Sequence, residues 1–491
     1  MRARANVWLW IALPVAMLST GARAQEPAPA PAGAQPPAEE PAEELGPPAE
    51  AAAEAPPVCG TASPDTPPDP RCGEALDGRE VPLPPGSQVG KAALYVPRQI
   101  GLGLTWPFWR SADFIERHHI QDWYKALLTS DDGLVGVRPE LNISTGLLPT
   151  FGAHFFYRRM PDDAEFRATA VTAGPAVYFG MLSYATPSWL GLAVTASYEH
   201  RTDHIFAGIG PNSEEALEAM GQAVSRYGAN IARGDLAWVR PLPEHFKILL
   251  HGRITRTDYE SDSVRGGPSV ATTFGLPGGD CMAIGQMAPC VNPAEMPGFY
   301  TGQRVLHGGM GFGFDSRSRL RGGSGVTATI DGQGGYGIGN DPTRDFRFTG
   351  EVVGALAGTD RTLLVRGYAS TVSALNNSVL PFDELVSPCG NLFLRGFPDG
   401  RFRGQSDVVG TVEYRYYISW ALDATLFSDV GTVAGETWSG IESSKWFPDF
   451  GMGLRFYTPK GRHWEAPPQS GAQVTYAPDG GFRLLVTLAG F

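Results

Sequence analysis

Lysine is nearly missing from this chain: five residues, at 91, 125, 247, 445 and 460, stand among 39 basic and 51 acidic side chains in 491 residues. The net charge of −12 gives no support for nucleic-acid binding, which rests on a basic surface that neutralises phosphates. No run of eighteen apolar residues occurs, which argues against a transmembrane helix. It leaves room for a membrane β-barrel, whose strands carry only about ten alternating residues each. The five cysteines include no CxxC pair, so the tight spacing of a structural metal site is absent. Neither a G-x-S-x-G nucleophile elbow nor a G-x-x-x-x-G-K-[ST] phosphate loop is present. The nine histidines are scattered, and His200 and His204, though four apart, fall in a predicted strand and its adjoining loop. An outer-membrane phospholipase would need a serine beside His251 or His307 on the outer barrel wall. The residues therefore read as a protein that is not an enzyme and carries no metal or cofactor.

What the chain has in excess is glycine, at 62, and proline, at 42, an enrichment that suits turns and strands better than long helices. Arg2 and Arg4 lead into an apolar stretch from Val7 to Leu18 and then Ala22-Arg23-Ala24, the pattern of a secretory signal over 1–24. Residues 25–90 hold seventeen prolines, twelve Asp and Glu, and two basic residues, Arg71 and Arg79. Such a Pro/Ala/Glu-rich segment buries too little apolar surface to offset chain ordering and is expected to be a disordered, acidic periplasmic tail. In an oxidising compartment Cys59 with Cys72, and Cys281 with Cys290, can each close a small loop, leaving Cys389 over. A pre-barrel segment, 91–133, includes a predicted amphipathic helix over 111–128, where Phe114, Ile115, His118, Trp123, Ala126 and Leu127 recur near helical spacing.

From about residue 134 the period becomes two. Val408, Val412, Tyr414, Tyr416 and Ile418 share one face, with Thr411, Glu413 and Arg415 opposite. Leu422, Ala424, Leu426 and Val430 oppose Asp423, Thr425, Asp429 and Gly431. Leu306, Met310, Phe312 and Phe314 oppose His307 and Asp315, and Ile248, Leu250 and Ile254 oppose Lys247, His251, Arg253, Thr255 and Thr257. Such alternation marks strands with unlike surroundings on their two faces. Strands are predicted at 134–143, 146–158, 165–173, 175–184, 190–201, 226–239, 244–257, 304–315, 323–337, 344–357, 361–373, 405–418, 420–433, 448–458, 471–478 and 481–491. The segment 165–184 also reads as one long strand, which would break the parity. With sixteen strands the long gaps 202–225, 258–303, 374–404 and 434–447 all fall at one end, the asymmetry of outer-membrane barrels. Closure is required because edge amides in hydrocarbon each cost several kcal/mol. Trp238, Trp420, Trp446 and Tyr457, near strand ends, suit an interfacial belt. The expected architecture is an all-β, sixteen-stranded antiparallel transmembrane barrel over 134–491.

Leu394-Arg395-Gly396-Phe397 resembles the Arg-Gly-Phe/Tyr signature of the Omp85 outer-membrane proteins, the surface-antigen D15 or BamA/TamA-like group, which lies at the tip of the sixth external loop. The strand count independently makes 374–404 the sixth external loop. Val412 to Tyr416 resembles the family's following strand, and Phe427-Ser428-Asp429-Val430-Gly431 matches the Phe-x-Asp-x-Gly strand after it. Phe312 to Arg317, Gly451 to Pro459 and Phe206 to Ser213 resemble further segments of D15-like members, and Phe491 resembles the terminal aromatic read as an assembly signal. Phe491 lies on the opposite parity from Phe482, Leu484, Val486 and Leu488, so a bulge near Ala489-Gly490 is needed to place it. The resemblance implies that Arg395 enters the lumen and pairs with acids on the wall. The polar parity of Glu413 and Asp429 agrees. Gly396 would allow close backbone approach and Phe397 would pack against the wall, together forming a loop latch. It implies location in the outer membrane of a Gram-negative-type bacterium. It also implies work in inserting or translocating proteins, or lipids, through a weak seam between the first and last strands, with unfolded outer-membrane proteins and outer-membrane lipids as partners. Residues 25–90 are too short and proline-rich for a POTRA module, so the chain resembles a short member lacking such modules, unless a separate periplasmic partner supplies them. The other reading is a passive pore or structural barrel without assembly activity.

Overall fold

The computed structural model describes residues 127–491 except 161–163, 187–189, 212, 214–223, 244, 262–266, 277–280, 288, 318–323, 359–360, 420–421, 439, 442–443, 457–469 and 490–491. The signal, the proline-rich segment, Cys59, Cys72, all but the end of the predicted helix, Trp420, Tyr457 and Phe491 lie outside the described residues. Sixteen strands follow in chain order. They are β1 (Val135–Ser144), β2 (Thr150–Tyr157), β3 (Glu165–Thr172), β4 (Val177–Ala185), β5 (Leu192–Phe206) and β6 (Ser225–Pro241). Next come β7 (Phe246–Glu260), β8 (Gln303–Asp315), β9 (Gly325–Gly337), β10 (Arg344–Ala357) and β11 (Arg361–Ala374). The last five are β12 (Ser406–Ser419), β13 (Leu422–Ala434), β14 (Phe447–Phe456), β15 (Ser470–Ala477) and β16 (Gly481–Ala489).

Each strand pairs antiparallel with its sequence neighbours, and β1 pairs with β16, so the sheet closes into a barrel. The predicted count and order hold, and 165–184 is two strands joined by a tight turn at 173–176. An even number of up-and-down strands puts the connections after odd-numbered strands at one end. These include loop 4 (261–302) and loop 6 (375–405).

The burial pattern is the reverse of a water-soluble sandwich. Leu250, Ile254, Leu306, Met310, Phe312, Val412 and Leu426 are exposed on the outer face. Thr255, Thr257, His307, Asp331, Gln333, Thr411, Glu413, Asp429 and Arg483 are buried on the inner one. Alternation therefore sends apolar side chains outward along β7, β8, β12 and β13, while charge and hydroxyl groups line the lumen.

Two departures from the expected faces have local causes. A register irregularity between Tyr417 and Ser419 interrupts the β12–β13 ladder. Ile418, expected on the exposed face with Val412, is buried there, as is Leu422 across the turn. A second irregularity, between Arg201 and His204 against β6, lets β5 run on to Phe206, five residues past its predicted end.

Among the described residues, apolar clusters join the wall to the loops at the loop-bearing end. Phe206, Tyr227 and Ile231 from the wall meet Val270, Phe274, Val291, Met296 and Phe299 of loop 4 and Phe382 of loop 6. Loop 4 contains α1 (Val270–Thr273), N-capped by Ser269, whose hydroxyl accepts the amide of Thr272. Cys281 and Cys290 of the same loop are disulfide-bonded. A second cluster joins Cys389, Phe393, Leu394, Phe397 and Phe402 of loop 6 to Val409, Val433, Phe447 and Ala477 of the wall.

Candidate functional site

Arg395 lies at the turn of loop 6, directly after Leu394, whose φ of 38° is in the left-handed region. That strained corner aims the guanidinium at the wall formed by β12, β13 and β14. Its Nε and Nη2 donate to the two oxygens of Asp429 at 2.9 and 3.0 Å, and Nη1 donates to Glu413 Oε2 at 2.8 Å. The fork on Asp429 is bidentate, the geometry that gives arginine its advantage over lysine. The Arg395 guanidinium carbon stands 3.3 Å from the centre of the Phe427 ring, a stacked cation–π contact. All three charged groups are buried. Burial alone would lower the Arg395 pKa, but the Asp429 and Glu413 carboxylates outweigh it and hold the guanidinium charged, above its ordinary value.

The acids are unequally supplied. Glu413 also accepts from Arg415 Nε at 2.7 Å and Arg455 Nη2 at 2.8 Å. Asp429 accepts from the Thr411 hydroxyl at 2.8 Å and from the Arg395 amide at 3.3 Å. Asp449 on β14 lies opposite Asp429 in register and accepts the Gly396 amide at 2.9 Å. A β-carbon on Gly396 would stand 2.6 Å from the Asp449 Cβ and 3.0 Å from the Ala477 Cβ, so glycine is needed here for close approach. Phe397 is fully buried against Phe402 and Phe447.

The residues picked out from sequence, Arg395, Gly396, Phe397, Glu413 and Asp429, thus come together at one place on the lumen wall. Phe427, noted from sequence only as part of the Phe-x-Asp-x-Gly strand, also belongs to it, as do Asp449, Arg455 and Arg483, which had not been given a role. Arg483 of β16 donates from Nη1 to the carbonyls of Arg395, at 3.1 Å, and Phe397, and from Nη2 to Ser144 Oγ of β1 at 2.7 Å. Inward parity was the available signal for it: Arg483 is the only charged residue in 481–491. Cys389 is a buried free thiol, its pKa pushed up by that burial.

A second polar group lies beneath loop 6. Arg403 donates to Asp383 Oδ1 at 3.1 Å and to the Tyr227 hydroxyl at 3.1 Å, and Arg347 donates to Glu384 at 3.0 Å. His307 lies 3.6 Å from Asp345 and 3.8 Å from Glu384, and His251 is 2.9 Å from Asp331. Both histidines therefore point into the lumen, not onto the outer wall that a membrane lipase would use. Among the described residues no group of three or more His, Cys, Asp or Glu is arranged to hold a metal ion.

The described part of the seam between β1 and β16 is short. Among the described residues five pairs join it, from Glu140↔Ala489 to Ser144↔Leu485, against thirteen between β10 and β11 and eight between β1 and β2. Val135–Pro139 continue toward the turn-bearing end beside β2, without β16 opposite them among the described residues.

No family model and no curated protein matches the chain. Among solved structures, BamA from Haemophilus ducreyi lacking POTRA domains 1–3 aligns with a TM-score of 0.48 at 14% identity, over 73% of this chain and 70% of that one. CdiB from Acinetobacter baumannii aligns with a TM-score of 0.42 at 12% identity, and CdiB from Escherichia coli with 0.43 at 11%. This chain is covered over 73% and 72% in these two cases but spans only 63% of each CdiB. At these scores no activity transfers from them to this chain.

Proposed function

We propose that this chain is an outer-membrane barrel of the Omp85 type, in a Gram-negative-type bacterium, that helps insert or translocate proteins at the outer membrane. The observation that carries the reading is a β1–β16 seam of five register pairs among the described residues, together with a loop 6 tip fastened by buried charge to the adjoining strands. A strand edge released at the seam would present unpaired amides and carbonyls, which template the pairing of another extended chain. The apolar outer face supports contact with lipid, since only a closed barrel satisfies all backbone polar groups in hydrocarbon. Arg395, Gly396 and Phe397 act in this reading as a latch that fixes loop 6, with Glu413 and Asp429 as its seat. No covalent chemistry is required. Unfolded outer-membrane proteins and lipids are the proposed partners, with a separate periplasmic protein to deliver clients.

A passive pore is the competing role. Loops 4 and 6 packed into the loop-bearing end weigh against it. Photo-crosslinking from 134–143 and 481–491 in cells, followed by mass spectrometry, tests the assembly role. Nascent outer-membrane proteins among the captured species are expected; capture of nothing beyond the opposing strand would establish the passive barrel.

A further inference from the structure

The last strand contributes one charged side chain to the lumen, and its surroundings differ from those of Arg395. Arg483 is buried, yet among the described residues no carboxylate lies within ion-pair distance of it. Three neutral oxygens hold it instead. Two are backbone carbonyls of the loop 6 tip, those of Arg395 and Phe397, and the third is the hydroxyl of Ser144, the final residue of β1. Thr475 of β15 reinforces the first by donating to the Arg395 carbonyl at 3.3 Å. One planar fork therefore bridges three separate pieces of chain: the last strand, the first strand and the loop.

Its place along the seam matters. Ser144↔Leu485 is the terminal register pair at the loop-bearing end. Just beyond it the Thr145 amide donates to the Leu484 carbonyl at 3.0 Å, and the Leu484 amide donates to Thr145 Oγ1 at 2.9 Å. The seam is thus joined at the end where Arg483 stands and unpaired, among the described residues, toward the other. Parting β1 from β16 there removes the Ser144 oxygen from Arg483. Withdrawing loop 6 removes both carbonyls. Either event leaves a buried guanidinium short of acceptors, which is costlier than the loss of an ordinary neutral hydrogen bond. Once one set of partners has gone, the other holds less well, because the fork is no longer oriented.

We propose that Arg483 is a positioning residue that couples the seating of loop 6 to closure of the β1–β16 seam, so that the two open and close together. The proposal rests on the reading that the seam opens in function, but its test does not. Hydrogen–deuterium exchange is followed on the purified, folded full-length barrel without any client, at the amides of 140–144 and of 395–397. Ser144→Ala deletes one hydroxyl and leaves the fold intact. It is expected to accelerate exchange in both windows, by about tenfold at the seam, as for loss of a hydrogen bond to a charged group. Arg395→Ala, which frees the loop, is expected to accelerate exchange at 140–144 in the wild-type background but to add little once Ser144→Ala or Arg483→Gln is present. Acceleration confined to the window nearest each substitution, or full additivity of the two, overturns the coupling. A barrel that shows coupling yet captures no client would sink only the assembly role. One that captures clients while the two windows respond independently would sink only the Arg483 clasp.

Discussion

Phe427 lies across Gly451: a β-carbon at residue 451 would stand 2.3 Å from the ring's Cζ, while the Arg395 guanidinium carbon stands over the same ring, 3.3 Å from its centre. The absence of a side chain on β14 is what lets the β13 ring lie flat beneath the loop tip. Gly451→Ala is therefore expected to tilt Phe427 into Arg395 and cost about 1–3 kcal/mol, the usual range for overpacking. Limited proteolysis of loop 6 would show faster cleavage, and adding Phe427→Leu should restore protection. Failure of that second change to rescue would mean that the ring does not transmit the strain.

Removing the Arg395 guanidinium affects its two acids unequally. Glu413 keeps Arg415 and Arg455, whereas Asp429 is left facing Asp449 with, among the described residues, the Thr411 hydroxyl and the backbone amide of residue 395 as donors. Arg395→Ala should cost about 3–5 kcal/mol locally, as for breaking a buried pair from one side. Membrane targeting should stay intact while 375–405 becomes protease-sensitive on intact cells. Arg395→Ala combined with Asp429→Asn should recover part of the loss, and unchanged cleavage of the single variant would dispose of the latch.

Reduction of Cys281–Cys290 opens a bridge of sequence separation nine within loop 4. Chain-entropy reasoning assigns such a loop about 2–3 kcal/mol. After reduction, amide exchange should rise across 270–299, where Val270, Phe274, Val291 and Met296 hold the loop to the wall. It should be unchanged in β12 and β13. A uniform rise over all strands would show that the bridge supports the whole barrel instead.

Leu426 is 58% exposed on the outer face of β13. If lipid covers it, Leu426→Arg should cost about 2–4 kcal/mol near the bilayer midplane, read as a lowered folding yield into vesicles. Leu426→Phe should be tolerated. A spin label at 426, or at Phe312 or Leu250, should report an acyl-chain environment; an aqueous one would refute the membrane reading.

The strand count was legible because alternation is a property of each segment by itself: a leucine or phenylalanine at every second position needs one face unlike the other, whatever its neighbours. Ile418 escaped that logic because a bulge is set by the partner strand and leaves no mark on spacing. Glu413 and Asp429 could be placed on the inner wall by parity. Asp449 and Arg483 obey the same parity, but nothing local says that they face a loop tip and not open lumen water. That depends on β13 and β14 being in a register that sets Asp429 beside Asp449, and on loop 6 turning back at Leu394, both of which are tertiary facts. The pairing of Arg483 with Ser144, 339 residues apart, is beyond any sequence window.

That separation contrasts with the short spans inside the charged cluster: 18 residues from Arg395 to Glu413, 34 to Asp429, and 53 from Gly396 to Asp449. Near contacts cost less chain entropy to form than distant ones, and proteins dominated by distant contacts fold slowly. The C-terminal strands can accordingly pair as an open, curved sheet, early and by themselves. The barrel would then mature from its rear quarter forward, and pulse-labelled refolding should protect the β12–β13 ladder first, with 395–397 and 140–144 gaining full protection together. Ring closure becomes the final act of biogenesis, and it completes a lock whose seat the wall already carries.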